Sequence, residues 1–166
     1  MTAQLPQSQT TSGSDLYEQD FYLWIQTTAE LLKQKNFTQL DLDNLIEEIE
    51  TMGRSEKRSL ESNLEVLLMH LLKYQIQTEK RSKSWHYTIF EHRRQVQKAF
   101  QESPSLKPHF DRVFDESYQT ARRLAVIETG LAIAIFPEQS PFTSEQVLDC
   151  DFFQSHNVEQ LISLDN

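Results

Sequence analysis

The stretch from Leu42 to Tyr74, LDNLIEEIETMGRSEKRSLESNLEVLLMHLLKY, constrains the fold most strongly. Its apolar positions recur at steps of 4, 3, 4, 7, 4, 3 and 4 and share one helical face: Leu42, Ile46, Ile49, Gly53, Leu60, Leu64, Leu67 and Leu71. A helix of this length is roughly 50 Å long, and it needs neighbours packed along it. We therefore predict one long central helix whose apolar seam is buried throughout. Whether Gly53 interrupts this helix is left open, because glycine weakens helices.

Three further segments have helical periodicity. They span Tyr17 to Gln34, Trp85 to Gln101 and Ser103 to Thr129, and Gly130 is a typical C-terminal cap. Thr143 and Gln146 match a capping box that begins a short helix. Few glycines (3) and prolines (5) argue against a turn-rich β fold. The pattern predicts an all-α protein, an up-and-down four-helix bundle with a long central helix and a short C-terminal helix.

The 166 residues suit one helical-bundle domain, which we place at residues 17–153. Residues 1–16 are rich in Gln, Ser and Thr, and we predict that they form a disordered N-terminal tail. We predict that residues 154–166 form a flexible C-terminal tail. Cys150 is the only cysteine, which excludes an internal disulfide and a cysteine zinc cluster. There is no apolar run long enough to span a membrane and no export signal at the start. We therefore expect a cytoplasmic protein that does not bind membranes.

The charge is unevenly distributed. The net charge is −9, but residues 54–100 carry ten Lys or Arg and five Glu, which leaves −14 for the remainder. Such a dipolar chain can present a basic surface to a polyanion, although the acidic total weakens long-range attraction to nucleic acid.

Several polar residues occupy or flank seam positions: Asp20, His70, His92, Arg93 and Glu128. Burying them is costly unless they pair, so we expect them to meet one another. Two histidines with a carboxylate could bind a metal or form an acid/base pair. We favour a satisfied interior hydrogen-bond network, and we predict no metal and no cofactor. The acids Glu47, Glu48 and Glu50 read as a solvated first-turn group, with Glu50 paired to Arg54.

Basic and aromatic residues alternate in KRSKSWHYTIFEHRR, from Lys80 to Arg94. Cations interleaved with aromatic rings suit single-stranded nucleic acid, and the candidate contacts are Lys80, Arg81, Lys83 and Arg94. We favour the simpler interpretation, a solvated connection followed by a helix whose Trp85 packs in the core. No phosphate loop, nucleophile elbow or HExxH motif is present.

Many short motifs, in order, resemble the domain-of-unknown-function family number 29. They are NLIEEIETMGRSEKRSL, HLLK at His70, Ser84-Trp85, Thr88-Ile89, Arg93, SPSL, ETGL, FPEQSPF and VLDCDFF, and they cover Tyr17 to Phe153. The family is found chiefly in cyanobacteria, and the resemblance implies an α-helical bundle and no particular activity. Its pattern singles out Asp20, Glu47, Glu48, Glu50, His70, Lys73, Trp85, Arg93 and Glu128. The chain departs from it with Tyr74 where the family usually has Trp, and with Phe153-Gln154 where a Trp-Pro ending is common. At position 92 the family more often has Gln than His, which weighs against a His70–His92 metal pair.

Two hypotheses of function follow. The first is a non-enzymatic interaction module that binds a partner, which we expect to be a protein; self-association is left open. The second is an RNA-directed enzyme or RNA-binding regulator, in which the basic residues from Lys80 hold phosphates while His70 and Glu47 or Glu50 act as acid/base groups or metal ligands. No complete catalytic motif is present, so we favour the first hypothesis and leave the catalytic residues unassigned.

Overall fold

The computed structural model describes residues 13–153, and that part of the chain contains helices and no β-strand. The helices are α1 (Gly13–Gln19), α2 (Phe21–Lys33), α3 (Leu42–Ile76), α4 (Lys83–Glu102), α5 (Lys107–Thr129) and α6 (Ser144–Leu148). Short 3₁₀ turns lie at Phe37–Gln39, Thr78–Lys80, Pro104–Leu106 and Ile133–Ile135. The predicted all-α bundle, with a long central helix and a short C-terminal helix, is confirmed.

The first predicted helix is in fact two helices, α1 and α2. Asp20 separates them and is the N-cap of α2, where its carboxylate accepts a hydrogen bond from the Leu23 N–H at 3.0 Å. This cap satisfies one of the free N–H groups at the start of the helix. Helix α1 begins at Gly13, before the predicted start at Tyr17. The rest of the predicted N-terminal tail, residues 1–12, and the predicted C-terminal tail, residues 154–166, lie outside the described residues.

Helix α3 continues through Gly53 without a break, which answers the question that the sequence left open. A Cβ at Gly53 would have no other atom within 4 Å, so the residue stands in open space. Asp43 lies in the first turn and Lys73 in the last, as expected for charges that complement the helix dipole.

The chain divides into two compact units, Met1–Arg54 and Ser55–Asn166. The core of the second unit is formed by α3 from Leu60 onward together with α4, α5 and the segment that follows α5. The seam residues Leu60, Leu64, Leu67 and Leu71 are at most 2% exposed. For this half of α3, the predicted burial is confirmed.

The first unit contains α1, α2 and the beginning of α3, and its interior is small. Of its described residues only Trp24 and Thr28 are buried, and Trp24 packs against Tyr17 with ring centroids 5.0 Å apart. The seam residues of α3 in this unit, Leu42, Ile46 and Ile49, are 51%, 53% and 59% exposed. The expectation that the seam is buried throughout is therefore wrong for its first half, because α1 and α2 of the same unit leave that face more than half exposed.

The segment after α5 is held to the second unit by hydrogen bonds to its backbone. Gly130 ends α5 in the left-handed conformation (φ 69°) that glycine adopts without strain. Tyr118 then donates to the Pro137 carbonyl at 2.7 Å, and Arg122 donates to the Phe136 carbonyl at 3.0 Å. The predicted capping box of α6, between Thr143 and Gln146, is present. Irregular backbone is thus anchored where it lies against the helices.

Candidate functional site

A cluster of polar side chains surrounds Lys73 in the second unit. Lys73 is 5% exposed, and its ammonium forms an ion pair with the carboxylate of Glu128 on α5. The same ammonium lies 4.5 Å from the ring centroid of Trp85 on α4. A buried ammonium is costly unless it is paired, and the carboxylate and the indole face both stabilise it. Three helices thus converge on one buried cation.

His70 lies one turn before Lys73 on α3. Burial lowers the pKa of its imidazole to about 4, and the positive charge of Lys73 adds to this effect; Glu128 opposes it, and His92 lowers the pKa slightly further. Its Nδ1 atom is buried and has no hydrogen-bond partner among residues 13–153. At neutral pH, His70 is therefore an uncharged imidazole.

His92 belongs to α4 and, unlike His70, has a hydrogen-bond partner. Its Nδ1 lies 2.8 Å from Oδ1 of Asn63 on α3, and burial lowers its pKa against the attraction of Glu91. Histidine, cysteine and carboxylate groups come together nowhere in residues 13–153 in a set of three or more that could hold a metal ion. The structure brings together four of the predicted residues: Lys73 pairs with Glu128 and contacts Trp85, and the neutral His70 lies one turn away. This arrangement contains no nucleophile paired with a base.

Arg93 lies in the second unit but contacts another part of it, the end of α6. The residue is 1% exposed, and its guanidinium donates from Nε to the Val147 carbonyl at 2.8 Å and from Nη1 to the Cys150 carbonyl at 3.4 Å. Gln97, one turn later, donates to the Leu148 carbonyl at 2.9 Å. Burial lowers the pKa of Arg93, while Cys150 and Asp149 oppose the shift. Arg93 therefore caps the carbonyl end of α6, where a cation also complements the helix dipole.

Three of the four predicted acidic residues of the first unit have a partner within that unit. Glu48 accepts a hydrogen bond from the Tyr17 hydroxyl at 2.6 Å, which raises the pKa of that phenol to about 12 because the bond and the nearby negative charge favour the protonated form. Glu50 pairs with Arg54 at 3.5 Å, as predicted from their spacing. Glu47 is exposed, and Asp20 caps α2. These contacts account for Asp20, Glu48 and Glu50 without a ligand.

Two of the four nucleic-acid candidates are engaged within the chain. The Arg81 guanidinium lies 4.1 Å from the ring centroid of Tyr74 and donates to the carbonyl of that residue at 2.9 Å. Arg94 donates two hydrogen bonds to Glu91, at 2.7 and 3.0 Å. Lys80 and Lys83 are exposed and form no ion pair within the described part of the chain. Two exposed lysines make a small electrostatic footprint for a polyanion.

One hydrogen bond between helices of the second unit could not be predicted from the sequence. His109 on α5 lies 2.6 Å from the carboxylate of Glu61 on α3. Burial raises the pKa of the neighbouring Glu65, and the charges of Glu61 and Glu116 add to this shift. Helical periodicity places Glu61 beside Leu60 and Leu64, but the sequence does not reveal which residue of α5 faces it.

The feature that the sequence analysis interpreted incorrectly is the first part of the seam. We define the open face of α3 as Leu42, Ile46 and Ile49. Among the described residues, ten of the fifteen exposed large apolar side chains belong to the first unit, and nineteen of the twenty buried apolar residues lie outside it. Contiguous exposed apolar surface on a small unit is typical of an interaction site. The periodicity correctly grouped these residues, but it did not show that they are exposed.

These observations define a class of protein: an all-α helical bundle that has a well-packed second unit and an apolar surface on its first unit. No helix within residues 13–153 is long and apolar enough to cross a membrane. The family described as domain of unknown function DUF29 matches residues 16–153, and the chain belongs to that family, which confirms the resemblance. No curated protein and no solved structure matches the chain.

Proposed function

We propose that this chain is a cytoplasmic, non-enzymatic interaction module that binds a protein partner through the open face of α3. The observation that carries the proposal is the contrast along one helix. Seam residues from Leu60 onward are buried by the same chain, whereas Leu42, Ile46 and Ile49 are more than half exposed. A side chain of this size gains about 1.5–3 kcal/mol between full exposure and full burial. Because these three are already almost half buried, a partner that covers them supplies about half of that gain for each, and the face favours a partner.

The polar cluster around Lys73 gives less support to a catalytic role. Its cation is already neutralised by Glu128 and covered by Trp85. A general base must reach the proton that it removes, and the neutral His70 has no nucleophile as its hydrogen-bond partner in the described chain. The cluster is better explained as an interior network that fixes α3, α4 and α5 relative to one another.

A pull-down from native cell extract tests the proposal. The full chain is compared with an Ile46→Glu, Ile49→Glu double variant and with Ile127→Glu, a control at a residue of α5 that is 77% exposed. We expect one stoichiometric protein to be captured by the parent and the control but not by the double variant. Circular dichroism verifies that all three chains are folded.

Three results would contradict the proposal. One is the absence of a stoichiometric protein in every sample. Another is equal capture by the parent and the double variant, which would mean that the partner binds a surface other than the open face of α3. The third is recovery of RNA instead of protein, with loss on charge reversal of Lys80 and Lys83, which would favour the RNA-binding alternative.

A further inference from the structure

The open face of α3 has the spacing of a coiled-coil seam. Leu42, Ile46, Ile49 and Gly53 follow one another at steps of 4, 3 and 4, the steps at which one helix packs side by side with another. From Leu42 to Gly53, the seam extends for about three turns, or roughly 17 Å. Gly53 continues it, and the space in front of its Cα is empty. A large apolar side chain of a partner helix fits over that position.

Acidic residues lie along one side of this face. Asp43 directly follows Leu42, and Glu50 directly follows Ile49, the positions from which charged side chains reach across to a partner helix. Residues 13–54 contain nine Asp or Glu and three Lys or Arg, a net charge of −6. Arg54 is the base nearest to the face in sequence, and it is paired with Glu50. The surroundings of the apolar face are therefore negative.

We infer that the occupant of the open face is a basic amphipathic helix of another protein, about three turns long, with Lys or Arg beside its apolar stripe. This inference rests on the proposed function and names the chemistry of its partner. Charge complementarity argues against two other occupants, a second copy of this chain and residues 154–166. A second copy that pairs through the same face would bring the same net charge of −6 to the contact, and residues 154–166 carry Glu159 and Asp165 but no Lys or Arg. Like charges placed opposite each other oppose pairing.

Two designed helical peptides test the inference against the full chain. Both carry leucines at steps of 4 and 3; one has lysines at the flanking positions, and the other has glutamates. Titration calorimetry at low salt should show that the lysine peptide binds at least about tenfold more tightly than the glutamate peptide. The preference should shrink as salt is added, and the Ile46→Glu, Ile49→Glu variant should bind neither peptide. Ile127→Glu should behave as the parent.

A charge-reversed chain makes the test specific. In an Asp43→Lys, Glu50→Lys variant, the preference should invert toward the glutamate peptide, because the acidic side of the face is then positive. Equal affinity for the two peptides would overturn the inference. So would a preference of the parent for the glutamate peptide, or concentration-dependent dimers in sedimentation equilibrium that the Ile46→Glu, Ile49→Glu variant abolishes.

The two proposals fail in different ways. If the double variant still captures the native partner, the proposed function is wrong whatever the peptides do. If capture depends on the open face but the captured protein contacts it with an acidic or non-helical segment, the proposed function stands and the inference about the occupant is wrong. Crosslinking from a photoreactive residue at position 46, followed by mass spectrometry of the partner, distinguishes these cases.

Discussion

Acid should destabilise the second unit through His70, and the size of the effect follows from its surroundings. The imidazole is held neutral in the folded chain by burial and by Lys73, with a pKa of about 4 instead of 6.5. The unfolded chain therefore binds a proton that the folded chain does not bind in this range. The stabilising contribution is complete above about pH 6.5, declines as the pH falls, and is lost at about pH 4.

At about pH 5, a pKa difference of this size corresponds to about 2 kcal/mol of lost stability. Solvent reaches part of the half-buried ring and reduces the loss to about 1 kcal/mol. A His70→Gln variant has no group to titrate and should lose about 1 kcal/mol less than the parent between about pH 7.5 and pH 5. Ile127→Gln changes an exposed residue of α5 that does not titrate and should leave the parent's acid loss in place.

Urea unfolding followed by circular dichroism measures these differences, and NMR of the imidazole resonances gives the pKa of His70 directly. The comparison between variants matters more than the absolute loss, because carboxylates also titrate in this range. If His70 titrates near 6.5 in the folded protein, or if His70→Gln loses as much stability as the parent, the physical picture of the cluster around Lys73 is wrong.

Three further predictions concern single contacts. Glu128→Ala should cost about 1–2 kcal/mol in the parent, because it leaves the Lys73 ammonium buried without its carboxylate, and almost nothing in a Lys73→Met background; a double-mutant cycle by urea unfolding measures the difference. Arg93→Met should cost about 3 kcal/mol and expose residues 144–153 to limited proteolysis, and Arg93→Lys should not rescue it, because lysine cannot donate to two separated carbonyls in the same way. Gly130→Ala should destabilise by about 1 kcal/mol because its φ is 69°, whereas Gly53→Ala should stabilise α3 by up to about 1 kcal/mol; thermal unfolding gives the sign of each.

The helices were predictable because each has a local signal. The periodicity of α3, the Ser-Pro start before α5, the glycine after it and the capping box of α6 all act within a few residues of the chain. The separation of α1 from α2 at Asp20 was missed because the apolar spacing of Tyr17, Phe21 and Trp24 continues across it. A polar cap inside a continuous stripe is visible only when the backbone is known.

The partners of the candidate residues were not predictable, because they depend on distant parts of the chain. Arg93 donates to backbone carbonyls more than fifty residues away. Every residue has a backbone carbonyl, so the sequence does not indicate which ones accept these hydrogen bonds. The ion pair of Lys73 joins two helices whose rotation is fixed by packing. The sequence could say that buried charges need partners, and His70 and Lys73 were singled out on that ground or by resemblance, but spacing alone could not identify their contacts.

The two halves of the α3 seam have the same apolar spacing, but the side chains of one half are buried and those of the other half are exposed. Leu64 is fully buried, so Leu64→Ala should cost about 2–5 kcal/mol in the isolated chain. Ile46 is 53% exposed, so Ile46→Ala should change the stability of the isolated chain by less than about 0.5 kcal/mol. With the partner bound, Ile46→Ala should weaken the complex by at least about tenfold, because the partner then buries that side chain. A large loss of stability for Ile46→Ala in the isolated, monomeric chain would mean that the chain itself covers the face, and no partner would be required.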